Sequence, residues 1–215
     1  MHSSIKALTL LLIFLLTPLT AQAGEDALYA AEAPDGAAFI RVVNADIKGT
    51  VPEASIGGKS LKDIEPLQAS PYIYLPEGGY QLSVAGRSAQ VSMEKNQFYT
   101  AVVMDSGEVM ILEDEAFNNP RKALISFYNL TPDAPLSLKT ADGKVDVIKG
   151  LDSMDVANRE INAVKVSLGA FNDGQALATT PPVNLQRGKV FSFFILEVEG
   201  SPRLIVSENK VDTSI

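Results

Sequence analysis

Short apolar runs alternate with polar turns along most of this chain. β-branched and aromatic residues fill the runs, and Gly, Pro, Asn and Asp separate them, which is the pattern of short β-strands. No window keeps a helical apolar period over three turns, and we expect at most one helical turn, at 61–68. The predicted strands and hairpins cover 37–45, 53–58, 69–76, 80–93, 97–104, 108–114, 123–130, 136–150, 153–162 (strand or loop), 163–171, 189–200 and 202–210.

The residues between these runs are ones typical of β-turns. Asp142-Gly143 separates two alternating runs in LSLKTADGKVDVIKG, the signature of a two-residue type I′ hairpin turn. Further hairpins are expected at Ala85-Gly86-Arg87, at 105–107 and at 172–174. Pro71 indicates that the run at 69–76 is an edge strand or begins there.

The order of these elements repeats. Each half opens with an apolar strand that ends in Asn (FIRVVN and LISFYN), continues with a central hairpin, and closes with a long aromatic strand and its hairpin mate. The segment AFNNPRK, 116–122, separates the halves. The predicted fold is therefore all-β, with two tandem antiparallel β-sandwich domains at 37–117 and 118–215.

The first residues differ from the rest. Lys6, the apolar run Ala7–Leu16 and Ala21-Gln22-Ala23 have the layout of a secretory signal peptide at 1–23, cleaved after Ala23. An uncleaved anchor is the alternative. Residues 24–36 are small and acidic and show no apolar period, which predicts a flexible arm. Tyr29 belongs to the one short apolar cluster in this arm.

Composition narrows the chemistry of the exported chain. The 215 residues include no Cys, no Trp and one His, and that His2 lies in the predicted signal peptide. A Ser-His-Asp triad, a Cys nucleophile and zinc bound by imidazole or thiolate are therefore excluded for the mature chain. The formal net charge of −8 argues against nucleic acid or another polyanion as the main electrostatic partner. We expect no catalytic residue and no cofactor.

Acidic and aromatic clusters are two further kinds of candidate binding site. Glu113, Asp114 and Glu115 lack the spacing of a calcium loop, so solvated strand ends are preferred over a metal site, and no carboxylate pair stands out as a glycosidase centre. Tyr72 and Tyr74 share one strand face and form the candidate sugar contact, although core packing is the more common use of such a pair.

Polar clusters in the second half, together with the arm, supply the candidate partner-binding surface. Its residues are Lys139, Thr140, Asp142, Lys144, Arg159, Glu160, Lys165 and Tyr29. The basic members, with Lys149, are also the only candidate patch for a polyanionic polymer. Exposed charged strand faces are the alternative interpretation of the same residues.

The motif LKTADGK within 138–144, followed by REINAVKVSLGAF at 159–171, resembles the AlgF family of alginate O-acetylation proteins. FIRVVNA at 39–45 and LEDEAF at 112–117 extend the resemblance through the first half, whereas the chain departs from the family pattern after about Lys210. The resemblance implies a periplasmic, non-catalytic adaptor in alginate acetylation. Its partners would be a membrane-bound O-acyltransferase and periplasmic acetyltransferases of the SGNH-hydrolase type.

Two other functions stay open at this point. An alginate-binding module would use Tyr72, Tyr74 and the basic residues for weak contact with the polymer. An acetyl carrier or an esterase would use a Ser or a carboxylate.

Overall fold

The computed structural model describes residues 33–46, 48–133 and 135–215, and its regular elements there are all β-strands. The predicted signal peptide, Tyr29 and most of the predicted arm lie outside these residues. Within the described residues there is no helix with the length and apolar character needed to cross a membrane.

The N-terminal half is a sandwich of two sheets. Its strands are β1 (Ala38–Asn44), β2 (Val51–Ile56), β3 (Lys59–Ile64), β4 (Gln68–Ala69), β5 (Ile73–Leu75), β6 (Gly78–Val84), β7 (Arg87–Met93), β8 (Phe98–Val103) and β9 (Val109–Asp114). The N-outer sheet has the order β3-β2-β6-β7, and the N-inner sheet has the order β4-β1-β8-β9 with β5 also paired to β1. Ile40, Val42, Leu82 and Ala101 belong to the apolar core between them.

The C-terminal half repeats this arrangement. Its strands are β10 (Ala123–Asn129), β11 (Leu136–Thr140), β12 (Asp146–Leu151), β13 (Asp155–Ile161), β14 (Val164–Val166), β15 (Leu168–Asn172), β16 (Gln175–Thr179), β17 (Val183–Leu185), β18 (Val190–Val198) and β19 (Ser201–Glu208). The C-outer sheet is β12-β11-β15-β16 and the C-inner sheet is β13-β10-β18-β19, with β14-β17 as a small separate pair. Ile125, Phe127, Leu138 and Phe193 lie in the core between the two larger sheets.

The predicted pair of tandem β-sandwiches is confirmed, but the pairing is not antiparallel throughout. β1 runs parallel to β8, and β10 runs parallel to β18. A parallel pair needs a long crossover, and here the intervening hairpins form the outer sheet of the same half. The chain therefore returns to the inner sheet in its original direction.

The asparagine that ends the first strand of each half has one structural role. Asn44 Nδ2 donates to the carbonyls of Gly49 and Ile64, and Asn129 Nδ2 donates to those of Asp133 and Leu151. Each side-chain oxygen accepts the backbone N–H two residues further on. The repeated asparagine therefore satisfies backbone groups where the chain crosses from the inner to the outer sheet.

The expected helical turn at 61–68 was wrong, because β3 occupies its first part. Leu61 and Ile64 are both buried although they lie three residues apart, a helix-like spacing. Asp63 adopts a positive φ of 52° between them. The positive φ interrupts the side-chain alternation, so both residues face the core, and their partners Ala54 and Val51 on β2 are buried with the same spacing.

The hairpin at Asp142-Gly143 is present but is not a two-residue turn. β11 ends at Thr140 and β12 begins at Asp146, which leaves a five-residue loop. Asp142 organises this loop by accepting hydrogen bonds from the Thr140 hydroxyl at 2.6 Å and from the Lys144 N–H at 3.2 Å. Side-chain bonding within the loop therefore replaces the tighter turn.

A third apolar cluster joins the two halves. Val43 and Val102 of the N-inner sheet pack with Tyr128, Phe194 and Leu196 of the C-inner sheet. The sheets therefore stack as N-outer, N-inner, C-inner and C-outer layers. All described residues belong to one compact unit.

We expect Asn129→Ala to lower the free energy of unfolding by about 1–3 kcal/mol, because buried carbonyls lose their donor. Urea unfolding would measure this loss. Asn184→Ala, an exposed residue of β17, is the matched control and should change the free energy of unfolding by less than about 0.5 kcal/mol. Equal losses in the two variants would contradict the assigned role of Asn129.

Candidate functional site

A buried polar cluster lies between the N-inner and C-inner sheets, and we call it the Arg41 network. Arg41 is 1% exposed and Asp114 is 5% exposed. The network comprises Arg41, Tyr72, Thr100 and Asp114 from the N-terminal half and Tyr128, Ser192 and Asn209 from the C-terminal half.

Arg41 contacts both halves through its guanidinium group. Its Nε donates to the Thr100 hydroxyl at 2.9 Å, within its own half. Its other nitrogens donate to Asn209 Oδ1 at 2.7 Å and to the hydroxyls of Tyr128 at 3.0 Å and Ser192 at 2.8 Å. The guanidinium carbon also lies 4.6 Å from the centre of the Tyr72 ring, within cation–π range.

Asp114 is coupled to Arg41 through shared hydroxyl groups. The hydroxyls of Tyr72 and Thr100 donate to Asp114 Oδ2 at 2.7 and 2.6 Å, and that of Tyr128 donates to Oδ1. Thr100 and Tyr128 therefore each accept from Arg41 and donate to Asp114. Such relayed hydrogen bonds compensate two buried opposite charges that would otherwise be costly to desolvate.

Burial shifts the proton equilibria in this network. Burial raises the pKa of Tyr72 well above its ordinary value, and repulsion from Asp114 adds to the shift while Arg41 opposes it. Tyr128 has a raised pKa for the same reasons. Burial by itself lowers the Arg41 pKa, but Tyr128, Tyr72 and Asp114 outweigh it and the pKa is raised. Arg41 is therefore charged and both tyrosines are neutral at ordinary pH.

Sequence reasoning missed this network. The available signal was a single Arg inside the apolar run FIRVV, where a charge needs a buried partner. Its partners are spread from position 72 to position 209, and no local pattern connects them.

The predicted basic patch is largely neutralised by neighbouring carboxylates. Lys139 and Lys149 both pair with Asp146, at 3.1 and 3.0 Å, and hydrogen bonds from Lys149 and Lys139 lower the pKa of that carboxyl. Lys144 pairs with Asp142 at 3.2 Å. The pKa of Asp142 is lowered to about 2, mainly by the Thr140 hydroxyl and then by Lys144.

Arg159, Glu160 and Lys165 have different surroundings. Arg159 Nη1 donates to the backbone carbonyls of Asp146 and Val147 at 3.0 and 2.7 Å, so it connects β13 to β12 across the open side of the C-terminal sandwich. Glu160 accepts from Asn119 at 2.8 Å. Lys165 is exposed on β14.

A surface cleft of about 280 Å³ adjoins two of these residues. Lys122, Val145, Asp146, Arg159 and Glu160 line it, together with neighbouring residues of β13. Val145 is 58% exposed, the highest value among the exposed large apolar side chains of the described residues. The structure therefore brings part of the predicted partner surface to a cleft with an exposed apolar residue.

The predicted sugar-contact pair does not form an open platform. Tyr72 is 2% exposed and donates its hydroxyl to Asp114, so its ring is unavailable for stacking. Tyr74 is partly exposed, but Lys59 Nζ lies 3.6 Å from the centre of its ring. Asn209 and Val211 near the end of the chain lie against Tyr72, so only Tyr74 of the pair is partly exposed.

Comparison with known proteins identifies the family. The family model described as "Alginate O-acetyl transferase AlgF" matches residues 11–192. The chain belongs to the AlgF family. It is 38% identical to the alginate biosynthesis protein AlgF of Pseudomonas aeruginosa over 81% of this chain and 80% of that protein. For the AlgF of Azotobacter vinelandii the identity is 38%, over 80% of this chain and 78% of that protein.

Two solved AlgF domains are also similar to this chain. The C-terminal domain of AlgF from P. aeruginosa is 36% identical, covers 41% of this chain and 99% of its own, and has a TM-score of 0.37. The N-terminal domain is 30% identical, covers 39% of this chain and 100% of its own, and has a TM-score of 0.34.

We expect Arg41→Met to lower the free energy of unfolding by about 3–5 kcal/mol, because it leaves the Asp114 charge buried without its cation. Arg203→Met, at an exposed position of β19, is the matched control. Adding Asp114→Asn to Arg41→Met should recover part of the loss. Failure of the second change to recover any stability would contradict the coupling of these charges.

Stability should also fall at high pH. Tyr72 and Tyr128 have raised pKa values in the folded state, so above the ordinary value of 10.0 the unfolded chain releases protons that the folded chain retains. The free energy of unfolding then decreases as pH rises above about 10. Urea unfolding of wild type and Tyr128→Phe across this range would measure the slope, which should be shallower in the variant. An equal slope in both would show that Tyr128 does not contribute.

Proposed function

We propose that this chain acts in alginate O-acetylation as a periplasmic, non-catalytic adaptor. It would link the membrane-bound O-acyltransferase to the periplasmic SGNH-type acetyltransferases of the same system. Membership of the AlgF family supports the process. The signal-peptide pattern at 1–23 supports the compartment.

The proposal that the role is not catalytic rests on the Arg41 network. An acyl transferase needs a nucleophile that substrate can reach and a base beside it. Within the described residues, Thr100 donates to the buried carboxylate Asp114, but Thr100 is 0% exposed and its hydroxyl also accepts from Arg41. The hydrogen bonds of these buried side chains join the two halves, which suits a rigid adaptor.

The cleft beside Val145 and the exposed Lys165 are the proposed partner surface. Interface centres commonly combine exposed apolar side chains with Arg, and a polar rim surrounds them. Arg159 contributes to this surface from a position that also holds β12 and β13 together. A charge reversal at Arg159 would therefore disturb the fold as well as the surface, and Lys165 and Val145 are the better test positions.

Binding of alginate as the main function is less well supported. Lys139, Lys144 and Lys149 are paired with carboxylates, and Tyr72 is buried. Alginate is a polyanion, and the formal net charge of −8 opposes its approach. The exposed Lys144 and Lys149 are each paired with a carboxylate, so this patch offers little net positive charge for a weak polymer contact.

We expect Val145→Asp combined with Lys165→Glu to reduce alginate acetylation strongly in cells, with the protein still folded and exported. The reason is the loss of an apolar contact and a reversed charge at the proposed surface. Polymer acetyl content and co-purification of the acetyltransferase would be measured, with thermal unfolding as the folding check. Arg187→Glu, at an exposed turn, is the control. Wild-type acetylation in the double variant would overturn the surface assignment.

We expect no acetylation of a Ser or Thr hydroxyl of the purified, folded mature chain when it is incubated with an activated acetyl donor. The candidate hydroxyl at Thr100 is buried and already hydrogen-bonded. Peptide mass mapping, which locates each acetyl group on Ser, Thr or Lys, would check this, with heat-unfolded protein as the control for donor reactivity. Stoichiometric acetyl gain on a Ser or Thr of the folded chain would replace the adaptor with the acetyl-carrier function.

A further inference from the structure

The last residues of the chain cross from one half to the other, and we call residues 210–215 the strap. Asn209 continues from β19, and its N–H donates to the Val190 carbonyl at 2.9 Å. The strap then leaves the C-inner sheet and runs alongside Tyr72 in the N-terminal half, where Tyr72 and Val211 form an isolated parallel bridge. A segment of the C-terminal half thus occupies the edge of the N-inner sheet.

Two backbone hydrogen bonds hold the strap there. The Tyr72 N–H donates to the Lys210 carbonyl, and the Asp212 N–H donates to the Tyr72 carbonyl, both at 2.7 Å. Tyr72 lies between β4 and β5, where Pro71 interrupts the edge strand. The edge therefore presents one outward N–H and one outward C=O, the pair that an added strand requires.

A cavity lies on each side of the strap. One of about 140 Å³ is lined by Tyr72, Phe98, Phe117, Val190 and Val211, among others. The other, of about 450 Å³, is lined by residues of β3 and of 68–71, together with Asp212 and Ile215. Strand addition of this kind takes affinity from backbone hydrogen bonds and specificity from side-chain pockets on the two sides.

The strap fills this edge incompletely. Val211 is 40% exposed and Ile215 is 43% exposed. Apart from the bonds to Tyr72, Lys59 Nζ donates to the Ile215 carbonyl at 2.5 Å on the surface. None of the six strap residues is buried, and a segment with few buried contacts has low local stability.

We propose that the N-inner sheet edge at Tyr72 is a strand-addition site for an extended segment of a partner polypeptide, which replaces the strap. The occupant is a polypeptide because the edge presents the hydrogen-bonding groups of a strand, and because this chain's own peptide already uses them. An apolar side chain larger than valine at the Val211 position would fill the small aromatic cavity. This proposal rests on the adaptor function and assigns it a second docking surface, remote in sequence from Val145.

The test uses a variant that ends at Asn209 and a synthetic peptide with the sequence of residues 210–215. In amide NMR spectra we expect the peptide to shift the Tyr72 and Phe98 signals of the shortened variant saturably, towards their positions in the full chain. A peptide with Val211→Leu should bind about fourfold more tightly, the gain from one additional buried methylene. A peptide with Asp212→Pro lacks the N–H donor and should not bind.

A second variant guards against a folding failure of the shortened chain. The full-length variant Asp212→Pro keeps the whole strap but loses one of its hydrogen bonds to Tyr72. We expect this variant to bind the Val211→Leu peptide more tightly than the wild-type protein does. No shift at Tyr72 up to millimolar peptide in either folded variant would overturn the proposal. So would equal binding of the Asp212→Pro peptide.

The other possible occupants are outcomes of the same experiment. A stable dimer between full-length and shortened chains, seen by sedimentation without peptide binding, would assign the edge to a second copy of this chain. Shifts at Tyr72 caused by mannuronate oligomers and not by peptide would assign it to the polymer. Both results overturn the proposal, and neither depends on acetylation activity, so failure here is distinguishable from failure of the adaptor function.

Discussion

The buried charge of Arg41 is the interaction on which the arrangement of the two halves depends. It lies between two inner sheets, and its hydrogen bonds reach Thr100 in its own half and Tyr128, Ser192 and Asn209 in the other. A guanidinium ion at this depth is tolerated only when its donors are satisfied, so separating the sheets would expose an uncompensated charge on either side. The two sandwiches are therefore held as one unit by polar chemistry as well as by the apolar contact of Val43 and Phe194.

The joined double sandwich would suit the proposed adaptor role. Each sandwich buries its own core, so the outer sheets and the strand edges are available for contact with other molecules. The cleft beside Val145 belongs to the C-terminal half, whereas the strap lies on an edge of the N-terminal half. Two surfaces on one stiff body would hold two partners at a fixed distance, which lowers the entropic cost of bringing them together.

Local patterns predicted the elements well because turns and alternation are local physics. The hairpin at Ala85-Gly86 forms between Val84 and Arg87 with both turn residues at positive φ, as a primed turn requires. The repeat was visible from element order, and Asn44 and Asn129 proved to be equivalent. The strand β3 was missed because the positive φ at Asp63 gives its buried residues a helix-like spacing, which periodicity cannot distinguish from a turn of helix.

The candidate site was less predictable because exposure and pairing are properties of the packed molecule. The spacing of Tyr72 and Tyr74 predicts one shared strand face, but only packing against the C-terminal half decides that Tyr72 is buried. Composition alone excluded cysteine chemistry and placed the one His at position 2, and element order alone indicated two sandwiches. Tertiary structure decided which charges are neutralised, which edge carries a strap, and that Arg41 joins the halves. These outcomes depend on groups up to 168 positions apart in the chain, where no local preference acts.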